Sequence, residues 1–381
     1  MSQFKRTWAQ INLSAISYNL KNIKKILAPK TGIMAVVKAD AYGHGALACA
    51  KELIKNGIDF FAVACLEEAL ELRRGGIKNR IIILGYTPGA YFDTLLEYDI
   101  TQTVFDLDLA IELDKKARIL GKKAKIHIKL NTGMNRLGLS CSPEEKEKTI
   151  KDIISVCRLE NIEAEGIFTH FAAADDPQDD FTLSQFNTFM DFIKTLENED
   201  ITFKYRHCAN SAAALYHPEM QLDMVRLGII LYGLSPNMDR KSPVDLKPVM
   251  ELKTLVAQIR EIKKGQTVSY NMTYTAKKDI KIAILPVGYA DGYSRALSGK
   301  ANVSINGQTA PQIGKICMDY IMVDISDLKN APVPGDEVTL FGNAQISADD
   351  LAKALDTINY EITCNISKRV SKIIITANTL L

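Results

Sequence analysis

Between about residues 30 and 230, short apolar runs alternate with amphipathic stretches, and this alternation limits the fold more than any single residue does. The runs are Ile33–Val37, Phe60–Ala64, Ile81–Leu84, Gln102–Phe105, Lys125–Leu130, Glu165–Thr169, Phe203–Arg206 and Met224–Arg226, eight in all. Between them lie stretches with helical spacing of apolar residues, such as Leu47–Lys55, Leu66–Arg74, Leu107–Leu120 and Ser184–Leu196. Repeated strand–helix units give parallel strands joined by right-handed crossovers. Eight units over roughly 200 residues is the size of a (β/α)8 barrel. A doubly wound sheet would want a Gly-rich turn after its first strand. No G-x-G-x-x-G follows Ile33–Val37.

The pattern changes near residue 240. Asn237–Pro243 reads as a linker, and strand-like runs follow at Val249–Ile262, Ile280–Pro286, Asn302–Ile305, Ile313–Ile325 and Glu337–Phe341. Asn306-Gly307 is a two-residue hairpin signal. One helix is expected near Ala348–Leu355, and a β-branched run closes the chain at Ile362–Thr376. The predicted fold is therefore α/β: an N-terminal (β/α)8 barrel over residues 1–240 and a mainly antiparallel β domain over 241–381.

Composition narrows the partners. The 381 residues carry 47 basic and 45 acidic side chains, a formal net charge of +2. That balance disfavours a nucleic-acid or polybasic membrane surface and points to a small-molecule substrate. The seven cysteines form no C-x-x-C pair, an odd count that argues against a disulfide framework. The start, Met1–Arg6, lacks an apolar h-region, and no apolar run approaches the ~20 residues of a membrane helix. The cytoplasm is the expected compartment.

Barrel enzymes place their chemistry at the C-terminal ends of the strands. Lys38 follows the first run; Asn131, Thr132 and Arg136 follow the fifth; His170 closes the sixth. His207, Asn210 and Ser211 follow the seventh, and Arg226-Leu227-Gly228 closes the eighth. Taken singly, each has a plain reading: a strand-end lysine is usually solvated, and a strand-end histidine is usually a hydrogen-bonded structural group. Their shared end of the barrel raises the functional reading. A lysine in a partly dry pocket loses its proton more readily and can form a Schiff base with an aldehyde. Backbone N–H groups near Asn210-Ser211 and Gly228-Ile229 are placed to cradle a phosphate. Tyr270 alone reads as a sheet-packing tyrosine, Cys317 as structural, and His44 and His207 as loop or supporting groups. Clustered Cys/His metal ligands are absent from the sequence pattern, so no metal is expected.

The segment Ala35-Val36-Val37-Lys38-Ala39-Asp40-Ala41-Tyr42-Gly43-His44-Gly45 resembles in full the cofactor-lysine signature of alanine racemases, the barrel-type class of pyridoxal-phosphate enzymes. The resemblance runs from Trp8 to about Lys372. It includes Asn131–Gly138, Thr169–Ala172, Ala209–Ala212, Val225–Ile229 and Leu231–Gly233, and in the second domain Val268-Ser269-Tyr270, Pro286–Gly292, Ile316–Asp319 and Tyr360-Glu361. It implies that Lys38 carries pyridoxal 5'-phosphate and is one acid/base group, while Tyr270, from the other subunit of a homodimer, is the second. It implies Arg226 at the pyridine nitrogen and Arg136 at the phenolic oxygen and substrate carboxylate, with the Met318 N–H also at that carboxylate. Tyr42, Ser211, Gly228, Ile229 and Tyr360 would hold the phosphate beside Asn210. His170 would link Tyr270 to Arg226, and Tyr289 would narrow the entrance.

Two positions depart from the family: Asn131 where Asp is common, and Asn135 where Gly is common. Lys129 stands where relatives can carry a carbamate, which would give Arg136 an anionic partner. The implied reaction is interconversion of L- and D-alanine, feeding cell-wall synthesis. Alternatives are a broader racemase acting on serine or lysine, a pyridoxal-phosphate carrier that does not racemise, and a decarboxylase. The second-domain motifs disfavour a bare carrier. Decarboxylases of this type pair the cofactor nitrogen with a carboxylate, which Arg226 opposes.

Overall fold

The computed structural model describes residues 6–376 apart from residue 177, so Met1–Lys5, in the stretch read for a leader, lie outside it. All eight runs become strands: Gly32–Val36, Phe60–Val63, Arg80–Ile83, Thr101–Val104, Ala124–Asn131, Ile162–Phe168, Tyr205–His207 and Met224–Leu227. They pair in parallel in chain order, and the eighth returns to the first, with Val225 opposite Ile33. The seventh and eighth share no ladder, but Asp223 N–H donates to Arg206 O (3.2 Å) and Arg226 N–H to Ala209 O (2.9 Å). The barrel is closed there by single bonds. Its strands are buried on both faces, as a parallel sheet wrapped in helices must be.

Nine strands make the second sheet. At the Asn306-Gly307 hairpin Ile305 pairs with Gln308, and both turn residues have positive φ (49° and 74°), as a tight two-residue turn requires. The expected helix is Ala348–Leu355, opened by a reciprocal cap between Ser347 and Asp350. Three expectations need correction. Val249–Ile262 is two strands, Met250–Leu255 and Gln258–Ile262. Ile313–Ile325 is also two, Gln308–Ile313 and Ile321–Asp324, separated by a loop that begins at Gly314 with φ 66°. The final run is split as well: Asn359–Cys364 is helical and only Ser371–Ile375 is a strand. There Ile362 is buried from a helix, so packing overrides β-branched propensity.

The sequence reading marks no strand at Thr7–Asn12, yet one lies inside the second sheet. It runs antiparallel to Met250–Leu255 and parallel to Ser371–Ile375. Trp8, 1% exposed, is anchored there. The described chain therefore passes first through the second sheet, then builds the barrel, and returns.

Candidate active site

A cavity of about 470 Å³ opens at the C-terminal ends of the barrel strands. Ten of the thirteen residues expected to have catalytic, cofactor or substrate roles line it: Lys38, Tyr42, Arg136, His170, Asn210, Ser211, Arg226, Gly228, Ile229 and Tyr360. The other three, Tyr270, Met318 and Tyr289, do not. They lie on the second domain's surface, 62%, 52% and 41% exposed.

Lys38 leaves the first barrel strand into an unusual turn. Ala39, Asp40, Ala41 and Tyr42 all have φ between 50° and 55°, a left-handed turn built without glycine. Such a conformation costs roughly 1–2 kcal/mol per residue for L-amino acids. It persists because its surroundings over-determine it. Gly43 N–H donates to Ala39 O and Gly45 N–H to Asp40 O, both at 2.9 Å. Asp40 accepts from Ala46 N–H (2.7 Å) and pairs with Lys372 at 2.5 Å. Glu68 accepts from Ala39 N–H (2.6 Å) and Ala64 N–H (2.7 Å). The sequence reading does not single out Glu68. Its place in the first turn of Leu66–Arg74, where carboxylates reach back to exposed N–H groups, is the signal that marks it. Burial first, and then the Arg136 charge, hold the Lys38 amine below the ordinary lysine value.

Arg226 is 4% exposed at the cavity floor. It donates to His207 Nδ1 (2.8 Å), His170 Nδ1 (3.1 Å), and the carbonyls of Thr169 (2.8 Å) and Cys208 (3.0 Å). A guanidinium only donates, so both imidazoles accept at Nδ1 and carry their proton on Nε2. His207 Nε2–H then donates to His127 Nδ1 at 2.8 Å. Burial, followed by the Arg226 charge, holds His170 and His207 well below the usual histidine range. His170 is therefore neutral, and of this pair only Arg226 carries positive charge. Arg226 itself is pushed down to about 10 by burial, lower than expected but still cationic at neutral pH.

Lys129, two residues before the end of the fifth strand, also lines the cavity. Its Nζ donates to Leu130 O (2.9 Å), and burial with the charges of Arg226 and Arg136 pushes it down to about 7. The two departures from the family pattern bond to each other. Asn131 Nδ2 donates to Asn135 Oδ1 (3.0 Å), while Asn131 Oδ1 accepts from Asn135 N–H (2.9 Å). Asn135 has φ 54°, a region asparagine tolerates better than most residues. A carboxylate at 131 could not make the donor half of this pair. Arg136 emerges directly from it.

Tyr270 sits on a short turn, Tyr270–Met272, between the paired strands Thr267–Val268 and Tyr274–Thr275. Ser269 Oγ donates to Lys315 O (2.6 Å) and lies 3.5 Å from Cys317 Sγ, tying this turn to the loop that carries Met318. The second domain reaches the barrel cavity through Tyr360 and Cys364, whereas Tyr270, Met318 and Tyr289 stay exposed outside it.

The chain matches the family models for the alanine racemase N-terminal domain over residues 11–236 and the alanine racemase C-terminal domain over residues 249–374. It is 47% identical over 372 residues to an alanine racemase of Clostridium novyi (strain NT), covering 97% of this chain and 95% of that protein. Its fold superposes on the alanine racemase of Clostridium difficile 630 with a TM-score of 0.93 at 41% identity, over 98% and 96% of the two chains. The alanine racemase of Bartonella henselae, solved with covalently bound pyridoxal phosphate, superposes at 0.88 with 32% identity, over 97% of this chain and 99% of that one. The matches span the barrel and the second sheet together, and the chain belongs to the alanine racemase family.

Proposed function

We propose that this enzyme interconverts L- and D-alanine with pyridoxal 5'-phosphate, in a site completed by a second copy of the chain, and that D-alanine goes to peptidoglycan. The observation that carries the reading is the Lys38 amine, biased toward its neutral form, in a cavity floored by the buried Arg226.

The residues fit the cofactor. A Cβ at Gly228 would collide with the Tyr42 hydroxyl, so that glycine keeps a cradle open. Lys38 would hold the group covalently; Arg226 would face its ring nitrogen and Arg136 its phenolic oxygen. Tyr42, Asn210, Ser211, Gly228, Ile229 and Tyr360 would surround the phosphate. When bound, the cofactor supplies an aldehyde for amines and a conjugated ring that spreads negative charge developing at Cα.

Racemisation removes a proton from one face of Cα and returns one to the other. Lys38 serves one face, and Tyr270 of the partner subunit serves the other. Arg136 and the Met318 N–H hold the substrate carboxylate. Arg226 keeps a proton of its own at neutral pH and does not hand it to a ring nitrogen. The neutral His170, fixed through Nδ1 to Arg226, presents Nε2–H as the donor that steadies a phenolate. Tyr289 and Tyr360 limit the room for a side chain, which favours alanine over serine or lysine.

We divide the chain near residue 240, with Thr7–Asn12 crossing back to the second sheet. A cytoplasmic setting accompanies the reading, since all seven cysteines are free thiols. Among the described residues no helix is long and apolar enough to cross a membrane. The test incubates purified protein with single L-amino acids, with and without added pyridoxal phosphate, and reads D-product by chiral chromatography. D-Alanine alone, dependent on the cofactor, supports the reading. Equal turnover of serine or lysine supports the broader racemase, and cofactor binding without D-product supports the carrier.

A further inference from the structure

The surface that carries Tyr289 and Met318 is held by a charge cluster that the mechanism above does not use. The Asp291 side chain is fully buried, yet two arginines from opposite ends of the chain converge on it. Arg369 Nε donates to Asp291 Oδ1 at 2.9 Å, and Arg6 pairs with the same oxygen. The second oxygen, Oδ2, accepts from Gly288 N–H at 3.0 Å. Arg6 also donates to Pro286 O (2.6 Å), and Arg369 reaches on to Asp319 at 2.7 Å. One carboxylate therefore joins the first strand, the residue 286–291 turn, and the segment leading into the last strand.

The turn is in its own right zipped to the Met318 loop. Tyr289 N–H donates to Cys317 O and Ala290 N–H to Met318 O, both at 3.1 Å. Gly288 is packed so closely that a Cβ there would collide with the carbonyl oxygens of Cys317 and Met318. A displacement of the turn is thus a displacement of the Met318 N–H and of the Tyr289 ring. Burying an aspartate costs several kcal/mol unless partners compensate. An apolar residue would fill the space without that cost, so the charge marks a demand for geometry rather than for volume.

We propose that Asp291 is a positioning residue for substrate binding: gripped by Arg6 and Arg369, it holds the Tyr289 turn against the Met318 loop and so sets the rim that receives the amino acid. This rests on the rim roles given to Tyr289 and Met318 above. The barrel side of the site, with Lys38 and Arg226, lies outside the clamp. Loosening the clamp should weaken substrate binding while the chemistry and the cofactor stay in place.

The test compares three variants of the holoenzyme. Asp291→Asn should raise KM for L-alanine by about ten-fold with kcat within about two-fold, the signature of lost binding rather than lost chemistry. Arg369→Gln, at a half-exposed position that tolerates substitution, should raise KM by about three-fold, and it decides the matter if Asp291→Asn does not fold. Cofactor absorbance should be unchanged in both. Tyr289→Ala, which alters the rim directly, reports on the underlying reading. A shifted KM in Tyr289→Ala with an unchanged KM in the other two would overturn the clamp alone. An unchanged KM in Tyr289→Ala would overturn the rim reading and the clamp with it. A fall in melting temperature, kcat and cofactor content at constant KM would mark Asp291 as merely structural and also overturn the proposal.

Discussion

The barrel mouth and the second-domain rim differ in completeness. At the mouth, the supporting groups have partners within one chain: Arg226 donates to two histidines and to backbone carbonyls, and the Lys38 turn is braced from Asp40, Glu68 and Lys372. At the rim, the backbone is equally well tied, by Ser269 to Lys315 and by Tyr289 to Cys317, but the side chains Tyr270, Tyr289 and Met318 point outward. A fold that ties these loops firmly and leaves large side chains on them exposed, Met272 and Tyr320 among them, has prepared a surface rather than a core. In the proposed reaction the mouth supplies one acid/base group, Lys38, and the rim the other, Tyr270. The two become one site only if the rim of one copy closes the mouth of another.

The largest effects should come from the two acid/base groups, and they should differ in kind. Each contributes about 10²–10⁴-fold or more to rate. Lys38→Ala should abolish racemisation and lose the cofactor's protein-bound absorbance together. Tyr270→Phe should cost at least about 10²-fold in rate while the absorbance stays. Identical spectral behaviour in the two variants would break the distinction between mouth and rim.

Next in size is the cavity floor. Arg226→Glu should retain the cofactor, slow racemisation by about 10²-fold, and raise pyruvate formation by side transamination. It also inverts the donor arrangement, since His207 and His170 would face an acceptor at Nδ1. Racemisation at the wild-type rate would contradict the role assigned to Arg226.

Lys129 predicts a modification. At about 7 its amine is substantially neutral under neutral conditions, and a neutral amine reacts with CO2. We expect a carbamate that gives Arg136 an anionic partner, seen as one CO2 in native intact mass. The sign with pH follows: occupancy falls as pH drops below about 7, because the ammonium form is unreactive. An unmodified amine at pH 8 in bicarbonate would reject this.

The smallest effect is at Asn135. Asn135→Gly should be nearly neutral, because glycine accepts φ 54°, whereas Asn135→Ala should cost about 1 kcal/mol in unfolding free energy. Equal stability of the two variants would show that the positive φ is not the constraint there.

The barrel was legible because its eight strands are continuous apolar runs, which burial on both faces demands. That Lys38, His170 and Arg226 gather around one cavity was legible from their places at the strand ends. Other features were hidden for physical reasons. Thr7–Asn12 is a strand only because residues near 250 and 371 come to meet it, and no local pattern records pairing at that range. The left-handed turn at Ala39–Tyr42 is composed of ordinary residues, and its cause lies in Asp40, Glu68 and Lys372. The loop inside Ile313–Ile325 carries Met318, where apolar composition imitates a strand. Tyr270 was indistinguishable from a packing tyrosine without the family resemblance, since the role proposed for it depends on another copy of the chain.

Co-expression of Lys38→Ala and Tyr270→Phe chains with two different tags tests the shared site most directly. Each homodimer is inactive, but a purified hybrid holds one mouth and one rim that are both intact. We predict about half the wild-type rate per hybrid dimer, from one restored site of two. A hybrid as inactive as either parent would show that mouth and rim act within the same chain, and would contradict the account.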